Sequence, residues 1–243
     1  MTATLGRRVT AETAGTALLV SIVVGSGIFA ERLSPDAGIQ LLANSTATAG
    51  GLVALILAFG SVSGAHFNPM VSLADRMFGG LTTRELVAYV PAQIAGACAG
   101  AVIANLMFDL DPITLSTHAR STGGLWLGEV VATFGLVIVI LGVVRSERSS
   151  TAPFAVAGYI AAAYWFTSST SFANPAVTIG RTLSDTFAGI EPASVPAFIV
   201  AQVVGGAGAV ALARYLFPGL PALDVIVPHD QSAAHEEAHH ARP

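Results

Sequence analysis

The sequence predicts an all-α integral membrane protein with six transmembrane helices and two re-entrant half-helices, arranged as an inverted repeat. Three observations carry that expectation. The 243 residues are 53% apolar and only 11% charged, with a mean hydropathy of +0.69, too few charges to clothe a soluble globule. The charges are clustered, which leaves long uncharged runs between them. An Asn-Pro pair then occurs twice inside such runs, in "SGAHFNPMV" and in "SFANPAVT", about a hundred residues apart.

Taken in order, the uncharged runs cover residues 13–30, 37–74, 86–108, 130–144, 149–180 and 192–213. A spanning helix needs about 20 apolar residues, so four of the runs supply one helix each. The first follows Arg7 and Arg8 and leads into five further spans, so it reads as a helix and not as a cleaved signal peptide. Runs 37–74 and 149–180 are too long for one span. Each holds a full helix followed by a Gly/Ser-rich stretch and the Asn-Pro pair, and so each ends in a re-entrant segment. Irregular backbone survives at membrane depth only when it is buried in protein or lines a water-filled cavity. Proline suits the first turn of a helix, so Pro69 and Pro175 mark half-helix starts with Asn68 and Asn174 as N-caps. Each half-helix then presents its positive end to mid-membrane, where two such ends repel cations and protons. An asparagine whose carbonyl caps the helix still has amide hydrogens to offer a solute.

The halves of the chain echo each other. Glu12 and Thr16 correspond to Glu129 and Thr133, and "AQIAGACAGAVIA" corresponds to "AQVVGGAGAVALA". Three spans per half is an odd number, so the second half enters the bilayer inverted and related sites meet at the midplane. Repeat one covers about 9–110 and repeat two about 123–218, within a channel domain 1–222; residues 223–243 read as a cytoplasmic, His-rich, disordered tail. A carboxylate inside a membrane needs partners, and re-entrant loops need acceptors for their N–H groups, so Glu12 and Glu129 are expected to serve one loop each. The alternative for Glu12 is a place at a helix end in the interface. Gly96, Gly100, Gly205, Gly206 and Gly208 permit close helix approach. With the N-terminus inside, Arg7, Arg8, Arg76, Arg84, Arg145, Arg148, Arg214 and Arg242 are cytoplasmic against Arg32, Arg120 and Arg181 outside. That balance places both termini in the cytoplasm of a cell inner (plasma) membrane protein. The lone Cys98 gives no disulfide framework or zinc site, and no basic run points to nucleic acid.

These residues resemble the aquaporin and aquaglyceroporin family, the major intrinsic proteins. The resemblance runs from about residue 12 to 218 and is carried by "AETAGTALL", "SGAHFNP", "AYVPAQIAGA", "LGEVVATFG" and "NPAV". It implies the aquaporin-like fold, a homotetramer with one pore per subunit in the lipid bilayer, and passive conduction of water or small neutral solutes. It implies no cofactor, no metal centre and no enzymatic activity. The two signatures fall on Asn68, Pro69 and Met70 and on Asn174, Pro175 and Ala176. The first departs from the family's usual alanine at Met70, which puts a longer side chain by the central constriction. The second is followed by Val177, where most members have the arginine of the aromatic/arginine filter. Counted without gaps, the other filter positions fall on Thr48, Ala162 and Ser171, and a one-residue slip at Ala162 substitutes a neighbour. Such a filter is wide and half apolar. It looks like that of the bacterial aquaglyceroporins with valine in the filter that are associated with arsenic resistance. Arsenous acid, methylated arsenicals, antimonous acid, glycerol and urea are the solutes this implies. Arg181, four residues beyond Val177, either leans into the pore mouth or pairs with Asp185 or a carbonyl. His66 reads equally as a packing residue and as a solute contact in the cytoplasmic half of the pore.

Rival functions have weaker support. "SVSG" at 61–64 is a poor match to a membrane protease motif, because no histidine follows in a later helix. An ion-coupled transporter also uses inverted repeats and broken helices, but it needs a titratable group in the pathway, and both glutamates are assigned to the loops. A purely structural role would leave the pore sealed. In the tail, His235 and His239 have metal-binding spacing if helical, but with His229, His240, Glu236 and Glu237 around them the solvated reading is preferred. Truncation after Ala222 is therefore expected to leave solute permeability per channel unchanged within about twofold, because a solvated tail carries no apolar face to dock. Stopped-flow swelling at equal membrane abundance checks this, and a large loss would make the tail a gate.

Overall fold

A computed structural model describes residues 3–146 and 149–217; the tail and its histidines lie outside the described residues. Eight helices follow in order: α1 Leu5–Leu33, α2 Ala37–Ser63, α3 Pro69–Met77, α4 Thr83–Met107, α5 Gly123–Arg145, α6 Ala152–Phe166, α7 Pro175–Gly180 and α8 Val195–Leu216. The starts are written locally. Asp36 caps Ile39 at the head of α2, and Thr82 and Glu85 form a reciprocal capping box at the head of α4.

Five helices, namely α1, α2, α4, α5 and α8 with the turn before it, are long and apolar enough to cross a membrane. The sixth departs from the expectation of a full span. Helix α6 has 15 residues, a rise of about 22 Å at 1.5 Å per residue, against a hydrocarbon core of about 30 Å. A 3-10 turn over Ser149–Thr151 precedes it, and mostly buried non-helical backbone from Thr167 to Ala173 follows it. Protein-buried backbone thus completes the depth that the helix does not reach.

The halves pack in the same way, α1 on α4 and α5 on α8. Glycine makes the approach possible. A Cβ at Gly96 would overlap the Thr13 carbonyl, one at Gly100 the Ala17 carbonyl, and one at Gly205 the Val130 carbonyl. Small residues therefore bring backbone onto backbone, as membrane helix pairs require. Gly206 and Gly208 do other things: Gly206 forms the notch that takes the Met70 methyl, and Gly208 leaves ordinary room beside Phe134. The outer faces carry exposed apolar side chains such as Leu57, Val87, Phe154 and Val203, as the faces of membrane helices do. Gly96→Leu is expected to force α1 and α4 apart and destabilise the protein by about 1–3 kcal/mol or more. Thermal unfolding in detergent measures this, and an unchanged midpoint would show that the contact is not needed.

Candidate functional site

The two re-entrant loops have a backbone that side-chain preference does not favour. Ala65 and Phe67 sit at φ 49° and 49° in the first loop, and Thr170, Ser171 and Ala173 at 60°, 53° and 48° in the second. Such residues cost about 1–3 kcal/mol each, and their N–H groups lie outside any helix ladder. One buried carboxylate answers each loop. Glu12 accepts from the Ser63 hydroxyl at 2.6 Å, the His66 and Phe67 amides at 3.0 and 2.7 Å, and Gln93 Nε2 at 2.8 Å. Glu129 accepts from the Phe172 and Ala173 amides, both at 2.9 Å, and from Gln202 Nε2 at 2.6 Å. Hydrogen bonds to a charged group are worth about 1.5–3 kcal/mol each, the same order as the strain at one loop residue. The glutamines extend the scaffold to the half-helices, Gln93 donating to Ser72 Oγ and Gln202 to Thr178 Oγ1, both at 2.9 Å. Glu12 is fully buried, so its alternative place at an interfacial helix end does not hold.

The asparagines join the halves. Asn68 Oδ1 accepts from the Met70 amide, and Asn174 Oδ1 from the Ala176 and Val177 amides, which are the expected caps. Each Nδ2 donates across the junction, Asn68 to the Ala173 carbonyl and Asn174 to the Phe67 carbonyl, both at 2.8 Å. A primary amide has two hydrogens, so one per asparagine remains for the cavity that both residues line.

That cavity is narrow, with a free volume of ≈ 80 Å³ measured at the centres of water molecules. Four helices contribute stripes at four-residue spacing: Leu19 and Val23; Thr48, Leu52 and Ile56; Leu136 and Ile140; Ala152, Val156, Ile160 and Tyr164. Facing this largely apolar wall are His66, Asn68, Ser171 and Asn174 from the loops, with Val177 and Arg181 beyond. His66 is buried, its Nδ1 3.0 Å from Ser72 Oγ and its Nε2 4.0 Å from Asp75 Oδ2. It thus packs and faces the cavity at once.

Other candidates lie elsewhere. Pro69, Met70, Pro175 and Ala176 are buried at the junction but outside the cavity lining, and Met70 points to Gly206 on α8. Ala162 is exposed on the outer face of α6; Ile160 and Tyr164 hold the wall instead. The Tyr164 hydroxyl is 3.1 Å from Thr48 Oγ1, so an aromatic residue does border this ring. The ungapped count that gave Ala162 missed it, because residues on either side of the non-helical stretch before Asn174 share no helical register. The four-residue stripe on α6 was the signal that would have found it. Phe172 was also missed, and it lines the cavity next to Ser171.

Arg181 does not pair with Asp185. Its Nε donates to the Ala188 carbonyl, and its guanidinium carbon lies 3.5 Å from the Phe172 ring centroid. Asp185 instead accepts from the Thr117 amide at 2.8 Å and its hydroxyl at 3.1 Å, bonds that hold its carboxyl below the usual range. The segment after α7 is pinned further by the Thr114 and Ser116 amides to the Leu183 and Thr182 carbonyls, and by Arg120 Nε to the Gly189 carbonyl at 2.9 Å.

Two half-helices joined end to end by their capping amides, beside a cavity lined from both repeats and ringed by spanning helices, define a membrane channel. The model of the major intrinsic protein family matches residues 1–171. The chain is 51% identical over 212 residues to "Aquaglyceroporin AqpS" of Rhizobium meliloti (strain 1021), covering 87% of this chain and 91% of that one. It is 31% identical over 252 residues to "Probable aquaporin AqpM" of Archaeoglobus fulgidus, covering 89% and 99%. The X-ray structure of the aquaglyceroporin from Plasmodium falciparum matches with a TM-score of 0.67 at 21% identity, over 89% of this chain and 97% of that one. The chain belongs to the major intrinsic protein family, whose members are channels and not enzymes.

Glu129→Gln would replace the carboxylate that accepts from Phe172, Ala173, Gln202 and Ser169 with a neutral amide. Losing about 1.5–3 kcal/mol at a loop with three residues strained by about 1–3 kcal/mol each is expected to lower both folded yield and flux. Wild-type abundance and permeability in this variant would remove the carboxylate from the loop's support.

Proposed function

We propose that the chain is a passive channel for small uncharged solutes of the aquaglyceroporin type. It works as a homotetramer with one pore per subunit in the cell's inner membrane, both termini in the cytoplasm. The observation that carries this reading is the amphipathic cavity, lined by aliphatic stripes of the helices together with amides and hydroxyls, with Asn68 and Asn174 between the repeats. A small polyol turns its hydroxyls to the polar groups and its carbon or arsenic face to the aliphatic stripes. Glycerol, urea, arsenous acid, antimonous acid, methylated arsenicals and water are the solutes proposed. The aquaglyceroporin name of the 51% identical relative supports the polyol class. The ring of Thr48, Ser171 and Val177 supports the arsenicals, because no arginine narrows it at position 177.

Tyr164 favours compact solutes within that class. Its ring occupies the wall where the sequence count put a methyl group, and its hydroxyl engages Thr48. Stopped-flow measurements on proteoliposomes with water, glycerol, urea and arsenous acid, alongside a proton-leak assay, test the reading. Linear, non-saturating flux without proton coupling is expected. Saturation or dependence on a proton gradient would favour a coupled transporter.

Val177→Arg is expected to cut glycerol and methylated-arsenical permeation by about tenfold or more, and water by much less, since it restores bulk and donors at a narrow point of the pore. Closure remains partial because Thr48 and Ser171 are small and Arg181 repels the new charge. An unchanged ratio of large-solute to water permeability would shift the selectivity to Tyr164.

A further inference from the structure

The arginine expected directly after the second Asn-Pro-Ala would supply two things at once, bulk and a fixed positive charge. We propose that this channel separates them: Val177 sets the width, and Arg181, one helical turn further out, supplies the charge that excludes cations and protons. The proposal rests on the neutral-solute channel reading above.

Four observations carry it. Val177 and Arg181 stand four residues apart and both line the cavity, as the i,i+4 geometry of a helical turn allows. Arg181 is only 2% exposed, yet among the described residues no carboxylate lies within ion-pair distance of it, whereas Arg8 has Glu85. Its i+4 neighbour Asp185 is held by Thr117. A second guanidinium, that of Arg120, lies 5.0 Å from the same Phe172 ring, and the carboxylate that acts on both cations, Glu129, is already engaged by the Phe172 and Ala173 amides and Gln202.

The guanidinium is also held still. Phe172 supports its plane, as aromatic faces do for arginine, and the Ala188 carbonyl takes Nε. Arginine has five N–H donors, so four remain without a protein partner among the described residues. On the lining of the same cavity Ser171 is 4% exposed, and its hydroxyl is also unpartnered. An unpaired buried cation and an unpaired buried hydroxyl at one point of a narrow cavity are satisfied by the oxygens of a passing solute. A neutral polyol or water gains those hydrogen bonds. A cation must shed its own hydration there and meet a fixed like charge.

The test compares wild type, Arg181→Gln, Arg181→Lys and the double variant Val177→Arg/Arg181→Gln in proteoliposomes. Proton conductance is read under a clamped potential with an internal pH dye, and glycerol permeability by light scattering. The ratio of proton conductance to glycerol permeability is expected to rise about tenfold in Arg181→Gln, stay within about threefold of wild type in Arg181→Lys, and fall back toward wild type in the double variant. Rescue by a charge placed one turn inward is not expected of a merely structural Arg181. An Arg181→Gln channel as tight to protons as wild type overturns the proposal. Where that variant fails to assemble, a leaky Arg181→Lys channel or a wild type that already passes protons overturns it. Wild-type vesicles impermeable to glycerol and water overturn the channel reading itself, a failure visible before any variant is made.

Discussion

Everything in this molecule depends on giving hydrogen-bond acceptors to backbone that does not form a helix inside a membrane. Two loops reach mid-depth, and neither water nor lipid can answer their amides at the points where they are buried. Glu12 and Glu129 do so, and their positions dictate the rest. A carboxylate that accepts three or four bonds must be approached by a long donor from behind, which requires Gln93 and Gln202. Those glutamines sit on helices that must lie against the glutamate helices almost backbone to backbone, and this requires Gly96, Gly100 and Gly205. The desolvation of a buried ion costs several kcal/mol, and bonds of about 1.5–3 kcal/mol each offset it only when the set is complete. This is why glutamate, glutamine and glycine recur together in both halves.

That dependence also explains what could be read in advance. Proline after asparagine in an apolar run, and a glutamate far from other charges, have few physical explanations, so the half-helices, the repeat and the carboxylates were legible from the sequence. What escaped reading was set by geometry between segments. Tyr164 could not be placed by counting through seven non-helical residues, Thr167 to Ala173. The positive φ angles of Ala65, Phe67, Ser171 and Ala173 have no local signal, because none of these residues is a glycine and the acceptor that holds each loop is a glutamate distant in sequence. Met70 looked like a pore residue until its partner was known: a long side chain at 70 and a missing one at 206 are a single packing decision made by two helices. The partner of Arg181 escaped for a similar reason, because a carbonyl leaves no mark in the sequence.

The repeat is faithful where backbone is held and divergent where solute passes. Ser72 and Thr178, each four residues after its asparagine, both take a hydrogen bond from a glutamine. Val71 and Val177, each three residues after, both line the cavity. Valine at 177 is thus what the first repeat has at the same place, and the two ends of the pore are matched at that level. Two residues before each asparagine the correspondence fails, with His66 in one half and Phe172 in the other. It fails again seven residues after, with Asp75 in one half and Arg181 in the other.

Those two failures are coupled. His66 faces Asp75 across 4.0 Å, and Phe172 carries Arg181 at 3.5 Å from its centroid, so the same pair of positions touches in both repeats with opposite chemistry. An imidazole beside a carboxylate is a pairing of hydrogen-bonding groups. A phenyl ring beside a guanidinium supports the cation by its face while leaving the N–H donors unspent. In the first pair His66 is shared between Asp75, Ser72 and the cavity, whereas the second pair leaves the N–H donors of Arg181 to the cavity. A scaffold that is nearly two-fold in its backbone therefore has a direction in its chemistry, and that direction is written in four side chains that lie outside both Asn-Pro signatures.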